Sequence, residues 1–335
     1  MNLDEMVGLS VKHNAADLHL CSGHLPYWRQ QGRLEVMPQQ CPLSGAWMAQ
    51  FMARWLSDPQ RQELERAGQL DFALSLADGQ RLRANLFMQR NGLSLALRII
   101  ATACPTLASL QLPAIVPTLL EQQDGLILVT GATGSGKSTT LAALVDALNR
   151  QQARHIITLE DPIEFIHHSQ QSLIQQREIG LHCGSFSLGV KAALREDPDV
   201  ILLGELRDSE TIRQALTAAE TGHLVLATLH TRGAAQAVDR LVDVFPAEEK
   251  QLVRTQLAGS LKAVIAQRLV PSVAGSRIGL FEVLIATPGI TNLIREGKMH
   301  QIPALLQTGA QAGMQTFEQS RLARQAAGLI ESGCQ

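Results

Sequence analysis

Residues 131–139 read GATGSGKST, and how this stretch is read decides the fold. Gly131, Gly136, Lys137 and Ser138 occupy the fixed places of the phosphate-loop pattern Gly-x-x-x-x-Gly-Lys-Ser/Thr. The apolar run 126–129 precedes the loop as a strand would, and Leu141, Leu144, Val145 and Leu148 follow at helical spacing, giving one face to bury. The pattern has a physical cause. Several backbone N–H groups must converge on a triphosphate, so glycine stands where a Cβ would block the approach. The helix that follows turns its positive end to the same anion. Gly131, Thr133, Gly134, Ser135, Gly136, Lys137, Ser138 and Thr139 are the expected nucleotide-binding residues, with Lys137 reaching the β and γ phosphates and the Ser138 hydroxyl on Mg²⁺. The expected ligand is ATP.

The same design recurs downstream. Apolar runs at 156–159, 200–203 and 224–229 end at Glu160-Asp161, Gly204-Glu205 and His230. Continuous apolar runs are what strands buried on both faces look like, and in open α/β sheets ligands collect at the carboxyl ends of such strands. Four strands therefore deliver a phosphate cradle, two carboxylates and an imidazole to one rim. Phosphoryl transfer is mostly positioning and charge stabilisation, so one carboxylate must serve the metal and one the attacking water. Glu205, with Ser138, is the better candidate for the metal and Glu160 for the water, although sequence does not separate the two tasks. His230 either senses the γ-phosphate or holds structure.

With 29 Lys and Arg against 31 Asp and Glu in 335 residues, the net charge is −2, so bulk electrostatics gives no footprint for nucleic acid. The five cysteines are scattered without a Cys-x-x-Cys pair; reduced thiols and no zinc are expected. No run approaches the ~20 apolar residues of a membrane span, and the acidic start at residues 1–5 does not resemble a signal peptide. The expected location is the cytoplasm, with the inner membrane reached through partners.

Ahead of the loop the texture differs. A helix is expected over 3–11, strands over 16–20 and on both sides of Gly32, and one or two helices over 45–67, broken at Ser57-Asp58-Pro59. Three alternating strands over 70–76, 81–86 and 93–99 form a meander with one buried face. Arg81, Arg83 and Arg98 fall on its other face, either as solvated charges or as guanidiniums that reach a phosphate held by another domain or subunit. The breakers Pro105, Pro113 and Pro117 mark a linker at 103–117 between a domain at 1–102 and an ATPase domain at 118–335 that ends in a helical subregion.

Four further segments, TLEDPIEF at 158–165, ALREDPDVILLGELRD at 193–208, TAAETGH at 217–223 and TLHT at 228–231, join the loop in resembling the GspE/PilT family of secretion-type ATPases, which power type IV pili and type II secretion. They resemble that family's Asp box, Walker B segment and His box, and the likeness is closest to its retraction branch. The resemblance implies a homo-hexamer of subunits with a PAS-like α+β domain before a RecA-like α/β domain, ATP bound between the domains, and an inner-membrane platform protein as partner. It also implies that Glu160, Glu205, His230, Arg83 and Arg98 are catalytic. GITNLIRE at 289–296 resembles the retraction segment AIRNLIRE but has Gly289 for its alanine and Thr291 for its arginine. The paired-cysteine zinc element and extra N-terminal domains of assembly and secretion members have no counterpart here.

Overall fold

The computed structural model describes residues 2–30, 32–38, 40–100 and 104–331. Chain contacts divide it into two units, residues 1–103 with 162–166, and residues 104–161 with 167–335. The expected boundary at 102–103 lies outside the described residues, as does Cys334.

The first unit runs α1 (Leu3–Lys12), β1 (Ala15–Cys21), β2 (Tyr27–Gln30), β3 (Arg33–Val36), α2 (Gly45–Trp55), α3 (Asp58–Ala67), β4 (Gln69–Ser75), β5 (Arg81–Gln89) and β6 (Gly92–Ile100). Its strands form one antiparallel sheet in the order β3-β2-β1-β6-β5-β4. The break between α2 and α3 is made by a capping box at Ser57, with Pro59 in the first turn of α3 where its missing N–H costs nothing. Alternation does the rest: Leu82, Ala84 and Leu86 of β5 and Leu95 and Leu97 of β6 are buried against α1, α2 and α3 in one core.

The second unit continues α4 (Val116–Leu119), β7 (Gly125–Thr130), α5 (Lys137–Gln151), β8 (His155–Glu160), β9 (Leu173–Glu178), α6 (Phe186–Ala193), β10 (Val200–Leu203), α7 (Ser209–Glu220), β11 (Leu224–Leu229), α8 (Ala234–Asp243), α9 (Lys250–Ser260), β12 (Leu261–Pro271), β13 (Arg277–Ile285), α10 (Pro288–Arg295), α11 (Ile302–Thr308) and α12 (Phe317–Ala326). The sheet order is β13-β12-β7-β11-β10-β8-β9, parallel throughout except for β13, which runs antiparallel to β12. This is the RecA-like α/β architecture, with the smaller α+β domain ahead of it.

Every residue of β7, β10 and β11 is buried, as strands covered on both faces require. The helix after the phosphate loop departs from expectation. Its periodicity marks one apolar face, yet Ala142, Ala143, Asp146, Ala147 and Asn149 are buried as well. For Asn149 the reason is local. The segment 168–172 bonds to the far side of α5, with the Asn149 amide donating to the His168 carbonyl at 2.8 Å and the Gln170 N–H donating to the Asn149 side chain at 2.9 Å. Among the described residues no helix is long and apolar enough to cross a membrane.

Candidate active site

The phosphate loop leaves β7 and closes on the start of α5. A Cβ at Gly131 would lie 2.5 Å from the Gln267 carbonyl oxygen, and Gly136 has φ +88°, so neither place admits a side chain without strain. The cradle is braced from β12, where the Gln267 side chain accepts from the Thr140 hydroxyl at 2.7 Å and donates to the Ser135 carbonyl. Ser135 Oγ is buried with no hydrogen-bond partner inside the loop. A buried hydroxyl without a partner costs free energy, and an anion seated in the loop would supply the acceptor. These features fit a nucleoside triphosphate.

The rim is built as the strand order dictates. Lys137 follows β7, His230 follows β11, Glu205 follows β10 and Glu160 ends β8, so the four stand at the ends of neighbouring parallel strands. Lys137 is buried; its Nζ donates to the carbonyls of Gly131 at 3.0 Å and Ala132 at 3.1 Å, and lies 3.4 Å from His230 Nδ1. His230 Nε2 is 3.2 Å from Glu205 Oε2. The neutral tautomer with hydrogen on Nε2 satisfies both contacts, accepting from the ammonium and donating to the carboxylate. Glu205 is buried and pairs at its other oxygen with the exposed Arg207. Glu160 Oε1 accepts from the Thr158 hydroxyl at 2.6 Å and from Gln176 Nε2 at 3.0 Å. The backbone ties these two strand ends together, with Gly204 N–H donating to the Leu159 carbonyl at 2.8 Å.

Arg83 and Arg98 lie elsewhere, on the first unit. They stand directly opposite each other across β5 and β6, and Arg98 also faces Asp17 of β1. Like charges in that position repel. Asp17 at 2.8 Å from Arg98 and Glu164 at 4.0 Å from Arg83 offset the repulsion in part. Arg81 donates instead to the Ile163 carbonyl at 2.8 Å.

Beside the loop, on the second unit, opens a cavity of about 540 Å³ bounded by Gly136, Thr139 and Thr140, by Leu269 of β12 and Phe281 of β13, and by residues 109–111. It falls in the size range of small-molecule sites. Sequence reading passed over this wall and over Gln267 and Gln176. Residues 109–111 read as linker, and β12 and β13 were not recognised as strands. A buried glutamine within the apolar run 263–270 was the available signal for Gln267.

A glycine cradle, a buried lysine and two carboxylates along the carboxyl edge of a parallel sheet define a phosphate-loop ATPase of the RecA-like class. Residues 66–278 match the family model described as type II/IV secretion system protein, and the chain belongs to that family. It is a PilT-like member and an ATP-hydrolysing enzyme. The chain is 62% identical to YggR of Escherichia coli (strain K12) over 320 residues, covering 96% of this chain and 97% of that protein. It is 45% identical to the type IV pilus ATPase PilT of Pseudomonas aeruginosa over 333 residues, covering 98% of this chain and 96% of that one. The crystal structure of the pilus retraction motor PilT with bound ADP superposes with a TM-score of 0.90 at 41% identity, over 99% of this chain and 95% of that one.

Proposed function

We propose that the chain is the subunit of a hexameric motor that spends ATP to withdraw subunits from a type IV pilus, acting in the cytoplasm on a platform protein of the inner membrane. The observation that carries this reading is the unbroken contact from Lys137 through His230 to Glu205, with Glu160 on the next strand. Its support from outside the site is the whole-length likeness to PilT. Gly131 to Thr139 bind the triphosphate, and the cavity beside Thr139 receives the base and sugar. Mg²⁺ held by Ser138 and Glu205 would neutralise charge on the phosphoryl group being transferred. Glu160, fixed by Thr158 and Gln176, orients the attacking water.

Arg83 and Arg98 supply positive charge to nucleotide chemistry. A pair of guanidiniums placed against each other on a sheet costs stability, and a phosphate would relieve that cost. Replacing either by alanine is expected to lower kcat by about tenfold at unchanged fold; steady-state hydrolysis by each variant measures it, and parental rates in both sink the assignment.

Deleting the gene tests the motor. Surplus surface pili with lost twitching is the expected result, and loss of pili would assign extension or secretion instead. One observation favours a second reading, an accessory paralogue beside a main motor. Thr291 of α10 stands where the retraction segment has arginine, and its hydroxyl donates to the Pro288 carbonyl at 3.1 Å, presenting no charge to a partner. Unchanged pili and motility on deletion would select that reading.

A further inference from the structure

The buried far side of α5 holds chemistry that the nucleotide site does not use. Cys104, Asp146 and His167 each bring one potential ligand atom, a sulfur, a carboxylate oxygen and an imidazole nitrogen, within 4.8 Å of one another. Asp146 is buried and the other two are half-buried. Core packing alone is a poor account of the cluster. Arg150 pairs with Asp146 at 2.7 Å, but a buried carboxylate pays desolvation that one ion pair offsets incompletely. The Cys104 thiol makes a weak contact to the Pro105 carbonyl at 3.8 Å. Burial, with Asp146 adding to it, pushes that thiol up to about 11, which makes it a poor nucleophile.

We propose that Cys104, Asp146 and His167 bind a transition-metal ion of the zinc class, with water as the fourth ligand. One sulfur, one nitrogen and one oxygen suit Zn²⁺; Mg²⁺ and Ca²⁺ take oxygen sets. Ligand atoms around a tetrahedral zinc lie roughly 3.5 Å apart, so side-chain rotation of about an ångström closes the set. Arg150 remains on the carboxylate as the outer partner that orients it. The ligands come from positions 104, 146 and 167, so the site leaves no spacing signature, and the expectation of no zinc rested only on the missing Cys-x-x-Cys pair.

The position gives the ion something to act on. Asp146 rides on the helix that begins at the phosphate loop. The His167 main-chain N–H donates to Gln176 Oε1 at 2.8 Å, and Gln176 Nε2 donates to Glu160 at 3.0 Å. An ion that fixes His167 thereby fixes the amide that holds Glu160, and turnover responds to it. That coupling rests on the catalytic reading of Glu160; the binding site does not.

The test is a titration of the full chain, stripped of metal, with Co²⁺ in excess Mg²⁺, followed by displacement with Zn²⁺. One Co²⁺ per chain with a thiolate-to-cobalt absorption band is expected. Cys104→Ser should abolish the band, and both it and His167→Gln should weaken binding by more than about tenfold, while Ser138→Ala leaves the titration unchanged. The absence of a thiolate band in the parent, or parental affinity in both ligand variants, overturns the site. In the parent, Zn²⁺ should change the ATPase rate, and in Cys104→Ser it should not. Zinc bound with no change in rate overturns the link to Glu160.

Discussion

Glu205→Gln should bind ATP about as tightly as the parent while its turnover falls by roughly 10²- to 10⁴-fold. The substitution keeps the shape of the side chain. A glutamine oxygen can still accept from His230 Nε2, so the contact to Lys137 through the imidazole survives. What disappears is one negative charge in a buried setting, and the exposed Arg207 loses its partner. If that charge serves the metal or the water, it matters more in the transition state than in the ground state, and kcat falls with little change in nucleotide affinity. Single-turnover hydrolysis beside equilibrium nucleotide binding separates the two quantities, and a parental rate would remove Glu205 from the mechanism. Glu160→Gln in the same assay divides the labour. Its oxygen can keep both the Thr158 and Gln176 contacts, so geometry is preserved there too. Of the two variants, the one whose nucleotide binding no longer depends on Mg²⁺ lacks the carboxylate that serves the metal.

How far the sequence could be read follows from where the physics is local. The loop, the four apolar strands and the residues at their ends are legible because each is a contiguous run whose burial or backbone demand leaves a pattern. The meander behaves the same way, since period-two alternation places Arg83 and Arg98 on one face without any knowledge of the partner strands. Two kinds of feature escape. The strand β12 carries Gln267 and Arg268 within its apolar run, and the polar pair masks a strand whose glutamine is buried because it braces the phosphate loop. The pairing of Asp17 with Arg98 and the meeting of Cys104, Asp146 and His167 depend on topology, which brings together residues that no spacing connects. The far face of α5 belongs with them: Asp146 reads as the polar side of an amphipathic helix, yet it is buried, with Cys104 and His167 beside it and a segment 20 residues onward bonded to Asn149.

Lys137→Met should abolish measurable turnover and weaken ATP binding while leaving the unliganded protein close to parental stability. The ammonium is buried and held by two loop carbonyls and His230, so it is already aimed at the space where phosphates would lie. Each charge-assisted hydrogen bond it makes to phosphate oxygen contributes about 1.5–3 kcal/mol. Two of them, at about 1.4 kcal/mol per tenfold, amount to roughly 10²- to 10⁴-fold in kcat/KM. Methionine matches the four-atom stem of lysine without its ammonium, and removing the buried charge relieves a desolvation cost about as it strips donors from Gly131 and Ala132, so the two changes oppose each other in the empty protein. Thermal unfolding with and without Mg-ATP distinguishes this from plain misfolding. A 100-fold loss of affinity removes about 2.7 kcal/mol of nucleotide-induced stabilisation without moving the unliganded transition. A variant that unfolds early without nucleotide would mean Lys137 is chiefly a strut of the loop; one that keeps the full nucleotide shift would mean the triphosphate sits away from it. Arginine at the same place is not a rescue, because its planar fork is broader than the ammonium that the two carbonyls enclose.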